Sequence, residues 1–224
     1  MKIVEIFLFA TALLVVGLVV LALLWSGTGP YQDLIKGPPG TVNCIQMFDR
    51  SGGETCYQIA RVVEIHQAWA AYETGGTDQP PTFADVRFTD DEYAHMADVR
   101  RVFDGAKFLV PLGLLVIIIR LQRSRARGPL DMWRLVRDGS LAAAVVVAVV
   151  GAIAAFAFER LFLLFHFVFF PQGNFLFDPA TSNLVRLYPD WYWEGITVRV
   201  GASFLAAALA LAALAHLRVG RLLA

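Results

Sequence analysis

The run SLAAAVVVAVVGAIAAFAFERLFLLFHFVFF, residues 140–170, decides the fold class. From Ser140 to Phe158 it carries no charge, and a helix needs about 20 mostly apolar residues to cross roughly 30 Å of hydrocarbon. As one helix to Phe170 it would be about 46 Å long at 1.5 Å per residue. That is too long for an upright span, so it must tilt, bend or emerge. Three further segments qualify as spans. Phe7 to Trp25 has no internal charge, and Val200 to Leu217 is rich in Ala and Leu. Phe108 to Ile119 is short and needs the stretch from Val102 to complete it, which leaves Asp104 and Lys107 at its end, where Lys107 can snorkel. The pattern predicts an all-α membrane protein with four spanning helices: 1–25, 102–119, 140–170 including an interfacial extension, and 199–217. Between them lie loops 26–101 and 171–198, a basic linker 120–139 and a tail 218–224. The loops have room for a small helical or mixed α/β cap.

Composition agrees. The 224 residues are 57% hydrophobic and only 17% charged, against about 25% charged in a soluble domain. Net charge is zero, which gives no basic face for nucleic acid. The distribution of cations sets the direction of the spans. Arg120, Arg123, Arg125, Arg127, Arg134 and Arg137 share the linker between the second and third spans. Lys2 precedes the first span, and Arg218 and Arg221 follow the fourth. With four spans these all fall on one side, which places both termini in the cytoplasm. The opposite loops, richer in Asp and Glu, then face outward from a bacterial cytoplasmic membrane. The first span exceeds the 7–15 apolar residues of a signal peptide and is read as an uncleaved anchor.

Cys44 and Cys56 fall in the first outer loop, in an oxidising compartment where a disulfide is allowed. Their spacing is not the C-x-x-C of a redox pair, so a structural staple is the expectation. In the same loop a Gly-Pro-Pro-Gly turn covers residues 37–40. Residues 54–73 have near-helical apolar spacing, and 82–88 alternate weakly, as a short strand would. Thr89 with Glu92 three residues on makes a capping box, which starts a helix at Asp90 that runs toward the second span. Tyr188, Trp191, Tyr192 and Trp193 suggest an aromatic belt at the mouth of the last span.

Of the four histidines, two stand out. His95 lies on the helix that begins at Asp90, with Asp91, Glu92, Asp98 and Val99 three or four residues away on the same face. A carboxylate there can hold the imidazole tautomer and raise its basicity; a solvated acidic face would look the same. His166 sits among Phe162, Phe165, Phe167, Phe169 and Phe170, and an ionisable residue in so apolar a setting is a candidate for function. Topology puts both at one membrane face. His66 and His216 are expected to be structural or incidental. No H-E-x-x-H metal spacing, G-x-S-x-G elbow or phosphate loop is present.

The segment 88–100, FTDDEYAHMADVR, resembles the E-x-x-H-M-x-D-V-K/R stretch of the lipoprotein intramolecular transacylases. The segment 165–175, FHFVFFPQGNF, is similar to their F-H-x-x-F-F stretch with a following N-W, except that Phe175 stands in place of Trp. The stretch 184–192, LVRLYPDWY, and the four-span layout also fit, so the resemblance extends from about residue 83 onward. The cysteine-bearing loop is outside that pattern. The resemblance implies an acyltransferase that needs no cofactor and no metal. Its substrate is a lipoprotein whose N-terminal cysteine bears an S-diacylglyceryl group, and the sn-2 acyl chain moves to the α-amine to give the lyso form. It implies His95 and His166 as the catalytic pair, with Asp98 orienting His95, and Glu92, Arg100 and Asn174 as orienting or substrate-contacting groups. Two other functions suit the residues: a non-enzymatic lipoprotein-binding or assembly factor that docks through loop 26–82, and a redox or haem protein using the histidines or cysteines.

Overall fold

Long apolar helices and a short hairpin make up the computed structural model, which describes residues 3–37, 40 and 42–224. In chain order the elements are α1 (Ile3–Trp25), α2 (Thr28–Ile35), β1 (Cys44–Phe48), β2 (Glu54–Gln58), α3 (Ile59–Glu73), α4 (Asp90–Arg127), α5 (Pro129–Phe169), α6 (Asn183–Leu187) and α7 (Asp190–Leu223). Lys2 and the Pro38–Pro39 pair of the expected turn lie outside the described residues. Among those described, α1, α4, α5 and α7 are long and apolar enough to cross a membrane. Large apolar side chains such as Phe108, Leu115, Val145 and Phe156 are exposed along them. That is the inverse of a soluble core and the arrangement a lipid solvent favours, with backbone polar groups satisfied inside each helix. The protein is an all-α, multi-pass membrane protein with a small two-stranded sheet.

The chain divides into two units. A span unit contains Met1–Leu23, Ala106–Ala157 and Val198–Ala224. Its core is Ala10, Ala143, Ala144, Val147, Phe204 and Ala208, flanked by Leu13, Leu14, Leu18 and Leu205. Small residues let the helix backbones approach closely, which is how helices associate where no hydrophobic force separates them from lipid. Close approach is literal at three glycines. A Cβ on Gly17 would stand 2.6 Å from the Phe204 ring, and one on Gly113 2.7 Å from Val16. Gly139 faces Phe9 in the same way. The arginines of the linker are helical: α4 continues to Arg127, Gly128 alone turns the chain at φ +138°, and α5 begins at Pro129. Arg120 and Arg127 reach the buried Glu5 of α1 at 3.2 and 3.8 Å. The linker expected at 120–139 is thus two helix ends, and Pro111 removes one donor inside α4 without ending it.

A head unit contains Leu24–Gly105 and Phe158–Thr197. β1 and β2 pair antiparallel, Cys44 opposite Gln58 through Phe48 opposite Glu54. The turn is held by Asp49, whose Oδ1 accepts from Ser51 N at 2.8 Å and Gly53 N at 3.0 Å. Cys44 and Cys56 are joined in a disulfide with their Cα atoms 5.5 Å apart. Residues 54–58 are therefore strand, not the start of the helix that spacing predicted. The hairpin pairing with 44–48 outweighs helical periodicity there. The alternation at 82–88 becomes a single bridge, Val86 to Asp49. Trp69, Tyr31, Ile35, Ile65, Val62 and Met47 form the buried interior. Tyr188 and Tyr192 are buried too, which corrects the expected aromatic belt. Tyr188 Oη meets His66 Nδ1 at 3.1 Å, and the His66 ring stacks on Tyr31 at 3.8 Å. These rings form part of the head's core. At Ala157 α5 leaves helical geometry (φ −146°, ψ 43°).

Candidate active site

The first turn of α4 builds one wall. Thr89 N donates to Glu92 Oε2 at 2.6 Å, and Glu92 N donates to Thr89 Oγ1 at 3.2 Å. The other oxygen of Glu92 accepts from Ser182 Oγ at 2.6 Å and Leu184 N at 2.7 Å. Glu92 is 1% exposed, and its hydrogen bonds fasten the 182–184 segment to the helix start. It is an anchor; the structure does not turn it toward His95. Beside it opens a separate cavity of about 180 Å³ lined by residues including Phe48, Arg87, Thr181 and Asn183, with neither His95 nor His166 in its lining.

One turn along α4, His95 is 7% exposed. The end of α5 supplies His166, half-buried, and the two imidazoles face each other with ring centroids 6.1 Å apart and planes within 18°. Aromatic rings surround them. Phe170 lies 4.7 Å and Phe177 5.6 Å from His95, while Phe162 lies 4.3 Å and Phe175 5.1 Å from His166. His166 Nδ1 is 2.8 Å from the Phe162 carbonyl oxygen. A carbonyl only accepts, so Nδ1 carries the proton and Nε2 is the nitrogen left for chemistry. His95 Nδ1 is buried with no hydrogen bond. Burial, reinforced by the facing His166, pushes the His95 pKa down to about 4, while the Asp98 charge and the nearby Asn174 work the other way. His95 is therefore a neutral imidazole at neutral pH.

Asp98 lies on the His95 side of α4, 8% exposed. Its Oδ2 accepts from Asn174 Nδ2 at 2.6 Å and from Gln172 Nε2, and its Oδ1 pairs with Arg101. Gln172 Nε2 also donates to Asn174 Oδ1 at 3.1 Å. Asp98 thus holds the 172–174 loop rather than the imidazole. Arg100 points elsewhere. It donates to Thr77 O at 2.6 Å, pairs with Asp78 at 3.1 Å and lies 4.9 Å from the Tyr72 ring centre, so it pins the 77–78 segment. Gln172 and Arg101 were missed in the sequence. Their partner lies on a different element or is already claimed by a nearer histidine, and no local spacing shows that.

The arrangement is a dry, aromatic-walled site with two facing imidazoles, one neutral by burial and one with a defined tautomer. It can move a proton on one side of a reacting carbonyl and return it on the other. The sequence model of the lipoprotein intramolecular transacylase Lit family matches residues 54–193, which includes both imidazoles and the loop between α5 and α6. No curated protein matches the chain. Among solved structures, the membrane-integral lipoprotein intramolecular transacylase Lit from Bacillus cereus is similar in fold, with a TM-score of 0.73 at 13% identity over 97% of this chain and 95% of that one. The same Bacillus cereus protein with a histidine replaced by arginine gives 0.66 at 12% identity over 97% and 92%. With a histidine replaced by alanine it gives 0.69 at 12% over 97% and 93%. The family match takes in more than half of the sequence and every residue of the imidazole site, and the chain belongs to the lipoprotein intramolecular transacylase Lit family of membrane-integral acyltransferases.

Proposed function

We propose that the two imidazoles carry an acyl shift within one lipoprotein molecule, from the sn-2 oxygen of its S-diacylglyceryl cysteine to the α-amine. The facing His95–His166 pair, 6.1 Å between centroids inside a ring of phenylalanines, carries this reading. The amine nitrogen attacks the sn-2 ester carbonyl carbon. The N–C bond forms, the C–O bond to glycerol breaks, and the proton lost by nitrogen is balanced by one gained by the glycerol oxygen, so product and substrate are isomers. Amine and ester share one molecule, and holding them together supplies much of the rate.

His95, kept neutral by burial, takes the amine proton as general base. His166 in its protonated form hands a proton from Nε2 to the departing glycerol oxygen. Two imidazolium ions this close repel, so at most one of the pair is protonated, and the shallower burial of His166 makes it the one that takes up the proton. Asp98 holds Asn174, and the phenylalanines exclude water and accept acyl chains. The residues in the imidazole ring need no bound group for this chemistry. The site faces the outside of the cytoplasmic membrane, where lipidated lipoproteins reside.

Intact mass does not distinguish the isomers, so the test is fragmentation mass spectrometry of a synthetic diacylglyceryl lipopeptide incubated with the purified protein. An N-acylated cysteine with a monoacylglyceryl thioether is expected. Its rate should fall by at least about 10²-fold in His95→Ala and in His166→Ala. An unchanged S-diacylglyceryl cysteine with a free amine, in the presence of folded wild-type protein, overturns the reading and favours a binding role.

A further inference from the structure

We infer that the cavity at the start of α4 is a subsite for the polypeptide of the lipoprotein, which holds by its main chain the short segment that follows the lipidated cysteine. This rests on the acyl-transfer reading for the identity of the chain that enters, not for the shape of the cavity. The cavity has a buried floor, Glu92 and Asn183, and an exposed rim, Gly52, Arg87, Ala180 and Thr181. The floor has little polar capacity left. Glu92 accepts from Thr89 N, Ser182 Oγ and Leu184 N. Asn183 accepts from Phe48 N and donates to the carbonyl oxygens of Phe48 and Arg87. The rim differs. The Arg87 guanidinium has no hydrogen bond or ion pair among the described residues. Thr89, in the lining between them, accepts from Glu92 N at Oγ1 and still has a proton to donate. Thr181 donates to the Asp178 carbonyl oxygen at 3.3 Å and keeps its lone pairs. Donors for carbonyl oxygens and an acceptor for an N–H thus stand around one space of about 180 Å³. That is room for about six waters at roughly 30 Å³ each, and so for a short piece of extended chain. The Arg87 and Glu92 charges cancel in the lining, which suits a neutral main chain better than a charged side chain.

The cavity's place relative to the imidazoles identifies the occupant. Glu92 lies three residues before His95 and so on the same face of α4. Thr89 lies six residues before it, about 9 Å along the helix axis at 1.5 Å per residue. The chain after α5 borders both places. Phe177 stands 5.6 Å from His95, and Ala180 and Thr181, three and four residues on, line the cavity. α4 runs from this end toward its apolar stretch, so the cavity lies on the side toward which a polypeptide leaves the lipid. An extended chain covers at most about 3.3–3.6 Å per residue. With the cysteine amine at His95, the third or fourth residue arrives beside Thr89. The hairpin adds Phe48 and Gly52 to the wall, two positions ahead of residue 54, where the family match begins. The Cys44–Cys56 bond ties that hairpin together.

The experiment uses the full chain in detergent micelles and two S-diacylglyceryl substrates, cysteine amide and a neutral five-residue lipopeptide amide. Wild type should turn over the longer one with kcat/KM about tenfold higher, the order expected from one hydrogen bond to a charged donor, and with most of the difference in KM. That ratio should shrink to within about twofold in Arg87→Gln, which loses the guanidinium fork, and in Ala180→Leu, which fills the cavity from its rim. Both side chains are exposed, so the fold should tolerate either change. A diazirine-bearing third residue in the lipopeptide should crosslink on irradiation to segments 48–52, 87–89 or 180–183, read by mass spectrometry of the digested protein, and both variants should weaken that crosslink. Equal kcat/KM for the two substrates in wild type, a ratio untouched by both variants, or crosslinks confined to other segments would each overturn the subsite. A wild type that makes no N-acyl product from either substrate, with the crosslink in place, would overturn the acyl-transfer reading and leave the subsite standing.

Discussion

His95 and His66 show how one residue type acquires two meanings in one head unit. Both are neutral imidazoles pushed down to about 4 by burial. His66 is packed against Tyr31 and Tyr188; His95 keeps Nδ1 without a partner and faces a second imidazole. The sequence draws the same distinction, because His95 and His166 each stand in a motif and His66 in an amphipathic helix. It could not rank Asp98, Asn174, Glu92 and Arg100, since those roles depend on partners 22 to 92 residues away in sequence. For His66 the linkage has a definite sign. Its folded pKa lies below the unfolded value near 6.5, so its share of stability is present above pH 6.5 and is lost as pH falls from there toward 4. Denaturant midpoints measured over that window should decline, and the decline should be shallower in His66→Phe. For turnover, a base neutral down to about pH 4 sets no limit near neutrality. The limit is the substrate α-amine, with an ordinary pKa of about 7.7–8.0. Because a neutral amine and a protonated His166 are both required, log kcat/KM should be bell-shaped, rising on the acid side and falling above about pH 8; a profile still level at about pH 9 would contradict His166 as the acid.

Elements were legible where periodicity was long and blurred where a short segment could read as either strand or helix. The four spans, the capping box at Thr89 and the helix from Asp90 follow from composition and from two residues three apart. The β2 strand did not, because Thr55 to Gln58 continue the apolar rhythm of α3 and only the partner strand and the Cys44–Cys56 bond distinguish them. Nor did the burial of Tyr188 and Tyr192, which interfacial composition assigned to the surface. Glu92 joins two elements through one carboxylate, with Thr89 N on one oxygen and Ser182 and Leu184 N on the other. Glu92→Gln keeps the shape but sets an amide NH2 against donors that need an acceptor. It should cost about 2–4 kcal/mol and lower the thermal midpoint of the purified protein. Turnover per folded molecule, measured well below that midpoint, should change far less than in His95→Ala. An unchanged midpoint would show that the joint is dispensable.

At the scale of the whole molecule, orientation is an expectation from the distribution of charge. The cluster from Arg120 to Arg137 lies around the α4–α5 turn, and positive-inside bias makes the cytoplasm the expected side of that turn. Single cysteines at Arg125→Cys and Asp178→Cys test this in intact cells with a membrane-impermeant maleimide, since the native pair is closed in a disulfide. Labelling at Asp178→Cys alone is expected; labelling at Arg125→Cys alone would invert the protein and put the imidazole site in the cytoplasm.

The glycine notches of the span unit bear on how such a molecule is made. Gly17 of α1 receives Phe204 of α7, Phe9 of α1 enters the notch at Gly139 of α5, and Val16 of α1 enters that at Gly113 of α4. Each later span meets the first through a glycine-shaped fit. A ribosome releases α1 before any of its partners, so the earliest helix in the bilayer is also the template on which the others are measured. A span that arrives in the wrong register finds a phenyl ring or an isopropyl group where it needs a gap.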